Sequence, residues 1–213
     1  MLNLTKNEKE IIMLDEYRSM IGKLMFYTTK IAPECSYAVG QLARHMQNPG
    51  EQHWKALGRA VGYVKGKAKH SLIMRKPLEM RIVSFCDSSY GDCKDTRRST
   101  GGDLHTIGGA IISWRAQLLK MICLSSTEAE YITLTEATKE QKFLQMLLEE
   151  VMECETPGIV YEDNEAAAYL TKNVHVSART KHIDIKQHYV REHVKEGRST
   201  IERIDTKDNI ADI

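Results

Sequence analysis

Arg81-Ile82-Val83-Ser84-Phe85-Cys86-Asp87 is a short run of β-branched and aromatic residues that stops at an acid. Ser88-Ser89 follows as a turn sequence, and Lys76-Pro77-Leu78 breaks the chain before it. The stretch therefore reads as a strand. It decides the fold class because the chain on either side of it obeys two different periodicities.

Upstream, residues 14–76 follow the helical period. Tyr17, Met20, Ile21, Leu24, Tyr27 and Ile31 keep one apolar stripe. Pro33 suits the first turn of a second helix carrying Cys35, Val39, Leu42 and Met46, and Asn48-Pro49-Gly50 breaks it. Trp54, Leu57, Val61 and Val64 mark a third helix, in which Gly58 and Gly62 each cost about 1 kcal/mol relative to alanine. Downstream, strands are expected at Ser71–Arg75, Arg81–Cys86, Gly109–Trp114 and Lys120–Leu124. A long helix is expected from Thr127 to Met152, then a strand over Ile159–Glu162. Helices over Asn164–Lys172 and Lys181–Glu196, a strand over Thr200–Ile204 and the start of a helix at Asn209–Ile213 complete the pattern. Strands first, then helices alternating with single strands, imply an α/β fold with a mixed sheet and helices packed on it. The expected division is a helical unit over residues 1–78 and a sheet domain over 79–213.

Bulk properties exclude several classes. Hydrophobic residues at 42% and charged residues at 28% suit a globular chain with a core in each unit. No apolar run is long enough to span a bilayer, and the first ten residues lack the core of a signal peptide, so an intracellular, cytoplasmic protein is expected. The five cysteines show no CxxC pair and read as reduced thiols. A net charge of +1 argues neither for nor against a nucleic-acid partner, but basic residues gather at Lys94, Arg97 and Arg98 and again from Arg179 to Arg191.

Four acids stand where elements begin or end: Asp87, Glu128, Asp163 and Asp212. Carboxylates grouped at one sheet edge suit a pair of Mg²⁺ ions, which take hard oxygen ligands and clamp the oxygens of a phosphodiester. Three of these acids also have a local explanation. Ser125 with Glu128, and Thr127 with Glu130, both satisfy the S/T-x-x-E capping box. Asp163 suits a helix cap, and Asp87 suits a turn. Spacing does not decide between these readings.

Tyr17 to Met25, Glu51 to Leu57 and Tyr63 to Gly66 resemble the segment after the polymerase domain in copia/Ty1-type retrotransposon Pol polyproteins. Asp95 to Gly101, Ile112-Ser113-Trp114, Leu124 to Tyr131, Glu162-Asp163-Asn164, Ala178 to Asp184 and Thr206 to Ile213 resemble the ribonuclease H signatures that follow it. The resemblance implies a reverse transcriptase tail followed by a ribonuclease H-like five-stranded mixed sheet, cut short in its last helix. It further implies hydrolysis of the RNA strand of RNA–DNA hybrids with two Mg²⁺ ions, for which Mn²⁺ substitutes. Asp87, Glu128, Asp163 and Asp212 are then the catalytic and metal-binding set, while Arg97, Arg98, Arg179, Lys181 and His182 grip the hybrid. Asp184 is the competing choice for the fourth acid, although a first-turn acid is already explained by the helix dipole. The polymerase itself is missing as an upstream partner, and oligomeric state is left open. Departures from the family pattern at Ser89, Glu162, Asp103, His105 and Leu118-Leu119 support an alternative: a decayed copy that keeps the fold and a weak grip on nucleic acid.

Overall fold

A computed structural model describes residues 6–74, 76, 79–153, 155–172 and 184–212. The chain divides into two compact units, Met1–Leu72 and Ile73–Ile213.

The first unit is helical: α1 (Lys6–Lys30), a 3₁₀ turn (Pro33–Cys35), α2 (Ser36–Ala43) and α3 (Glu51–Gly66). The periodic residues of the three helices form its core, with Tyr17, Ile21, Val39 and Leu57 fully or almost fully buried. Burying a tyrosine requires a partner for its hydroxyl. Tyr17 donates to the Leu42 carbonyl at 3.0 Å, and its ring meets Trp54 edge-on at 5.3 Å. Gly50 precedes α3, and its N–H is taken by His53 Nδ1 at 2.8 Å.

The second unit is built on β1 (Ile82–Ser89), β2 (Thr100–Ile107), β3 (Ala110–Leu118), β4 (Gly158–Glu162) and β5 (Ser199–Arg203). These form one sheet of order β3-β2-β1-β4-β5, antiparallel among the first three and parallel from β1 through β4 to β5. This is the ribonuclease H-like mixed sheet of the resemblance. Helices α4 (Ser126–Met152), α5 (Glu165–Lys172) and α6 (Asp184–Lys195) share one core with Cys86, Val160 and Ile201 of the sheet. Among the described residues no disulfide forms, and no helix is long and apolar enough to cross a membrane.

Three local expectations differ from the fold. Ser71–Met74 and Lys120–Leu124 form no strand, and β3 runs on to Leu118 instead. A strand that periodicity did not show, β2, lies beside β1. The chain from Asn209 to Asp212 makes a turn after a 3₁₀ segment (Thr206–Asp208), not a helix.

Candidate metal centre

Strand direction decides which side chains meet. Parallel pairing of β1 with β4 brings Asp87, near the end of one, to the same sheet edge as Asp163, just past the end of the other. Ser89 pairs with Thr100 and Thr100 with Leu118, so β3 also ends at this edge and delivers the start of α4 there. One carboxylate oxygen each from Asp87, Glu130 and Asp163 lies within 4.8 Å of the other two. Asp87 and Glu130 are buried, and Asp163 is half-buried. The C-terminal segment is tied to the same edge: Thr206 Oγ1 donates to Asp163 Oδ2 at 2.7 Å, and Asn209 Nδ2 donates to the Cys86 carbonyl at 2.9 Å.

The third carboxylate is that of Glu130, not Glu128. Glu128 Oε2 accepts from the Leu124 N–H at 2.6 Å, while its own N–H donates to Ser125 Oγ at 3.1 Å. It closes the helix start, where orphan N–H groups need acceptors. Two helical residues span about 200°, so Glu130 projects the other way. Asp212 is exposed in the terminal turn and does not belong to the three-carboxylate group. Asp184 opens α6, as its first-turn reading expects.

Arg97 and Arg98 sit on the Tyr90–Ser99 loop, which leaves β1 at this same edge. The loop is closed by Thr100 Oγ1 donating to both Asp92 carboxylate oxygens (2.9 and 2.8 Å) and by Gly91 N–H donating to Ser99 Oγ (3.0 Å). Arg97 takes a left-handed backbone there, with φ of 56°, and is exposed. Arg179, Lys181 and His182 lie outside the described residues.

Burial, then the charges of Glu162 and Asp87, push the Glu130 carboxyl up to about 9, with the Ser88 hydroxyl pulling slightly the other way. Glu162, fully buried below the cluster, is pushed up to about 8 by burial. Its oxygens accept from Cys86 Sγ (3.1 Å) and the Asn164 N–H (3.1 Å), which pull its pKa back down. Burial likewise raises the Cys86 thiol well above its ordinary value. Glu130 Oε2 is buried without a hydrogen-bond partner. An all-oxygen donor set, mutual repulsion and an orphaned buried oxygen together fit a hard divalent cation.

No family model matches the chain. It is 35% identical over 211 residues to the retrovirus-related Pol polyprotein from transposon TNT 1-94 of Nicotiana tabacum, covering 98% of this chain. The chain belongs to the copia/Ty1-type retrotransposon Pol family. A second member, the Pol polyprotein from transposon RE2 of Arabidopsis thaliana, is 32% identical over 198 residues, 92% of this chain. The chain spans only 16% and 14% of the lengths of these two polyproteins. Among solved structures it is similar to LC11-RNase H1 from compost, at 18% identity and a TM-score of 0.47, covering 62% of this chain and 90% of that one. Its sheet unit has the ribonuclease H-like strand order β3-β2-β1-β4-β5 and a candidate acidic triad at one edge of that sheet.

Proposed function

We propose that the sheet unit is a metal-dependent endonuclease that cuts the RNA strand of RNA–DNA hybrids, and that the helical unit is the tail of a reverse transcriptase. The convergence of Asp87, Glu130 and Asp163 within 4.8 Å at one sheet edge carries this reading. These three residues would hold Mg²⁺, with Mn²⁺ able to replace it. When bound, the cations would supply an activated water and stabilise charge on the scissile phosphate. Asp212 is proposed as a fourth acid, brought in from the segment that Asn209 and Thr206 tie to the edge. Arg97 and Arg98 would take phosphates, contacts that position a duplex without reading its sequence. The same role for Arg179, Lys181 and His182 rests on the resemblance alone.

Cleavage of a labelled hybrid with Mg²⁺ or Mn²⁺, with double-stranded DNA as control, tests the proposal. Glu130→Gln is expected to lower the rate by at least ~100-fold, the upper end of what losing a mere outer-shell partner of a metal site costs. Glu128→Gln is expected to keep the activity and to lose about 1 kcal/mol of stability as a weakened cap. The opposite result would transfer the role to Glu128. Asp212→Asn should slow cleavage more than Asp184→Asn.

A further inference from the structure

The second half of α4 turns an apolar stripe to the surface. Phe143, Met146, Leu147 and Val151 expose 59%, 60%, 49% and 70% of their surface. Gln141 and Gln145, on the opposite side of the same turns, are buried against the sheet unit. The stripe therefore cannot be hidden by rotating the helix. Exposed apolar residues are ordinarily scattered singly, and four on adjoining turns mark an interaction face.

We propose that this face is a dimer interface, occupied by the same stripe of a second copy of the chain, with the two α4 helices antiparallel about a two-fold axis at Met146. The order of charges argues for this occupant. Lys139 and Lys142 precede Met146 by seven and four residues, and Glu150 and Glu153 follow it by four and seven. At about 100° per residue Lys139, Lys142 and Glu150 lie within about 40° of the Met146 direction, on one line bordering the apolar stripe, and Glu153 caps the helix just beyond them. A two-fold axis at Met146 carries Lys142 onto Glu150 of the second copy and Lys139 onto its Glu153. It also sets Phe143 against the second copy's Leu147 and Val151. Parallel pairing would oppose lysine to lysine and glutamate to glutamate, and only the antiparallel arrangement also opposes the two helix dipoles. Lys139 already pairs with Glu136 at 2.9 Å, but that contact is exposed and readily exchanged. Glu130 lies sixteen residues before Met146, about 24 Å along the helix. Dimerisation therefore leaves the metal centre open and does not depend on the activity proposed for it.

Sedimentation of the full chain over a range of concentrations tests this, starting from a monomer mass of 24.3 kDa. The mass is expected to rise towards twice that value. Leu147→Glu, at an exposed position, should leave the circular dichroism spectrum unchanged, and the melting temperature unchanged at concentrations where both chains are monomeric, while weakening the dimer at least tenfold. Lys142→Glu or Glu150→Lys alone should weaken it, and Lys142→Glu with Glu150→Lys should restore it. A monomer at every concentration overturns the proposal, as does association that Leu147→Glu leaves intact. A double charge variant no better than the single ones overturns the antiparallel register.

Discussion

Glu130 keeps a carboxyl where burial and neighbouring acids both oppose its charge, and this has a consequence for stability. Its carboxyl is pushed up to about 9 and that of Glu162 to about 8, against 4.5 for the ordinary group. Between those limits the native chain holds protons that the unfolded chain has released, so native stability falls as pH rises. The contribution of both groups is full below about pH 4.5 and is lost as pH passes through 8 to 9. Thermal melting without divalent ions is therefore expected to weaken from pH 5 to pH 9, and Glu130→Gln should flatten that decline. Mg²⁺ at pH 8 should raise the melting temperature of the native chain but much less that of Glu130→Gln. A native chain whose melting is flat over this range would contradict the burial argument. The choice between Glu128 and Glu130 could not be read from the sequence, because Ser125-x-x-Glu128 and Thr127-x-x-Glu130 are equally good capping boxes. The signal that separates them is the direction in which each side chain leaves the helix, and that depends on where the first turn begins.

At the scale of elements, what sequence could not show was β2, and its physical basis is a buried polar chain. Thr100-Gly101-Gly102-Asp103-Leu104-His105-Thr106-Ile107 contains two glycines, an acid and a histidine, so neither β-propensity nor alternation marks it as a strand. Donor and acceptor capacity orients the hydrogen bonds that hold it. Gln141 Nε2 donates to Ser84 Oγ (2.8 Å), and the Ser84 hydroxyl in turn lies 2.7 Å from His105 Nδ1. His105 Nε2 faces Asp103 Oδ1 at 3.3 Å, while Arg115 donates to Asp103 Oδ2. On the other side Ser199 donates to Gln141 Oε1, and His193 Nε2 lies 3.2 Å from Ser199 Oγ. Gln141 thus links β1, β4 and β5 under α4, since it also donates to the Ile159 carbonyl at 2.8 Å. Gly158 leaves the room for it: a Cβ there would come within 2.6 Å of the Gln141 amide carbon. Gln141→Leu leaves several buried groups unpartnered and is expected to cost about 3 kcal/mol in denaturant unfolding. Gly158→Ala should also destabilise by displacing the same side chain. A loss below about 0.5 kcal/mol for Gln141→Leu would show that the chain contributes nothing to holding the sheet. The long helices, by contrast, were readable because their apolar stripes repeat over several turns.

At the scale of the whole molecule the two units close their cores on separate stretches of chain. Tyr17, Ile21, Leu24, Val39, Leu42 and Leu57 cluster with one another in the helical unit. Cys86, Ile132, Leu134, Val160, Val190 and Ile201 do so in the sheet unit. The helical core follows one 3.6-residue period, whereas the sheet core joins strand residues such as Cys86, Val160 and Ile201 to helix residues such as Ile132, Leu134 and Val190, so the first was legible as a stripe and the second only as a mixture of periods. A core confined to one stretch responds to a cavity made within it, and a second core without those residues has no direct stake in that cavity. Leu57 is fully buried, so Leu57→Ala is expected to cost about 2–5 kcal/mol in the helical unit alone. Unfolding followed by the fluorescence of Trp54, which packs in the first core, and of Trp114, which lies on β3, separates the two responses. With each tryptophan kept in turn and the other replaced by phenylalanine, Leu57→Ala should move the Trp54 transition to lower denaturant and leave the Trp114 transition in place. A single transition shifted equally at both probes would show that the units unfold as one cooperative body.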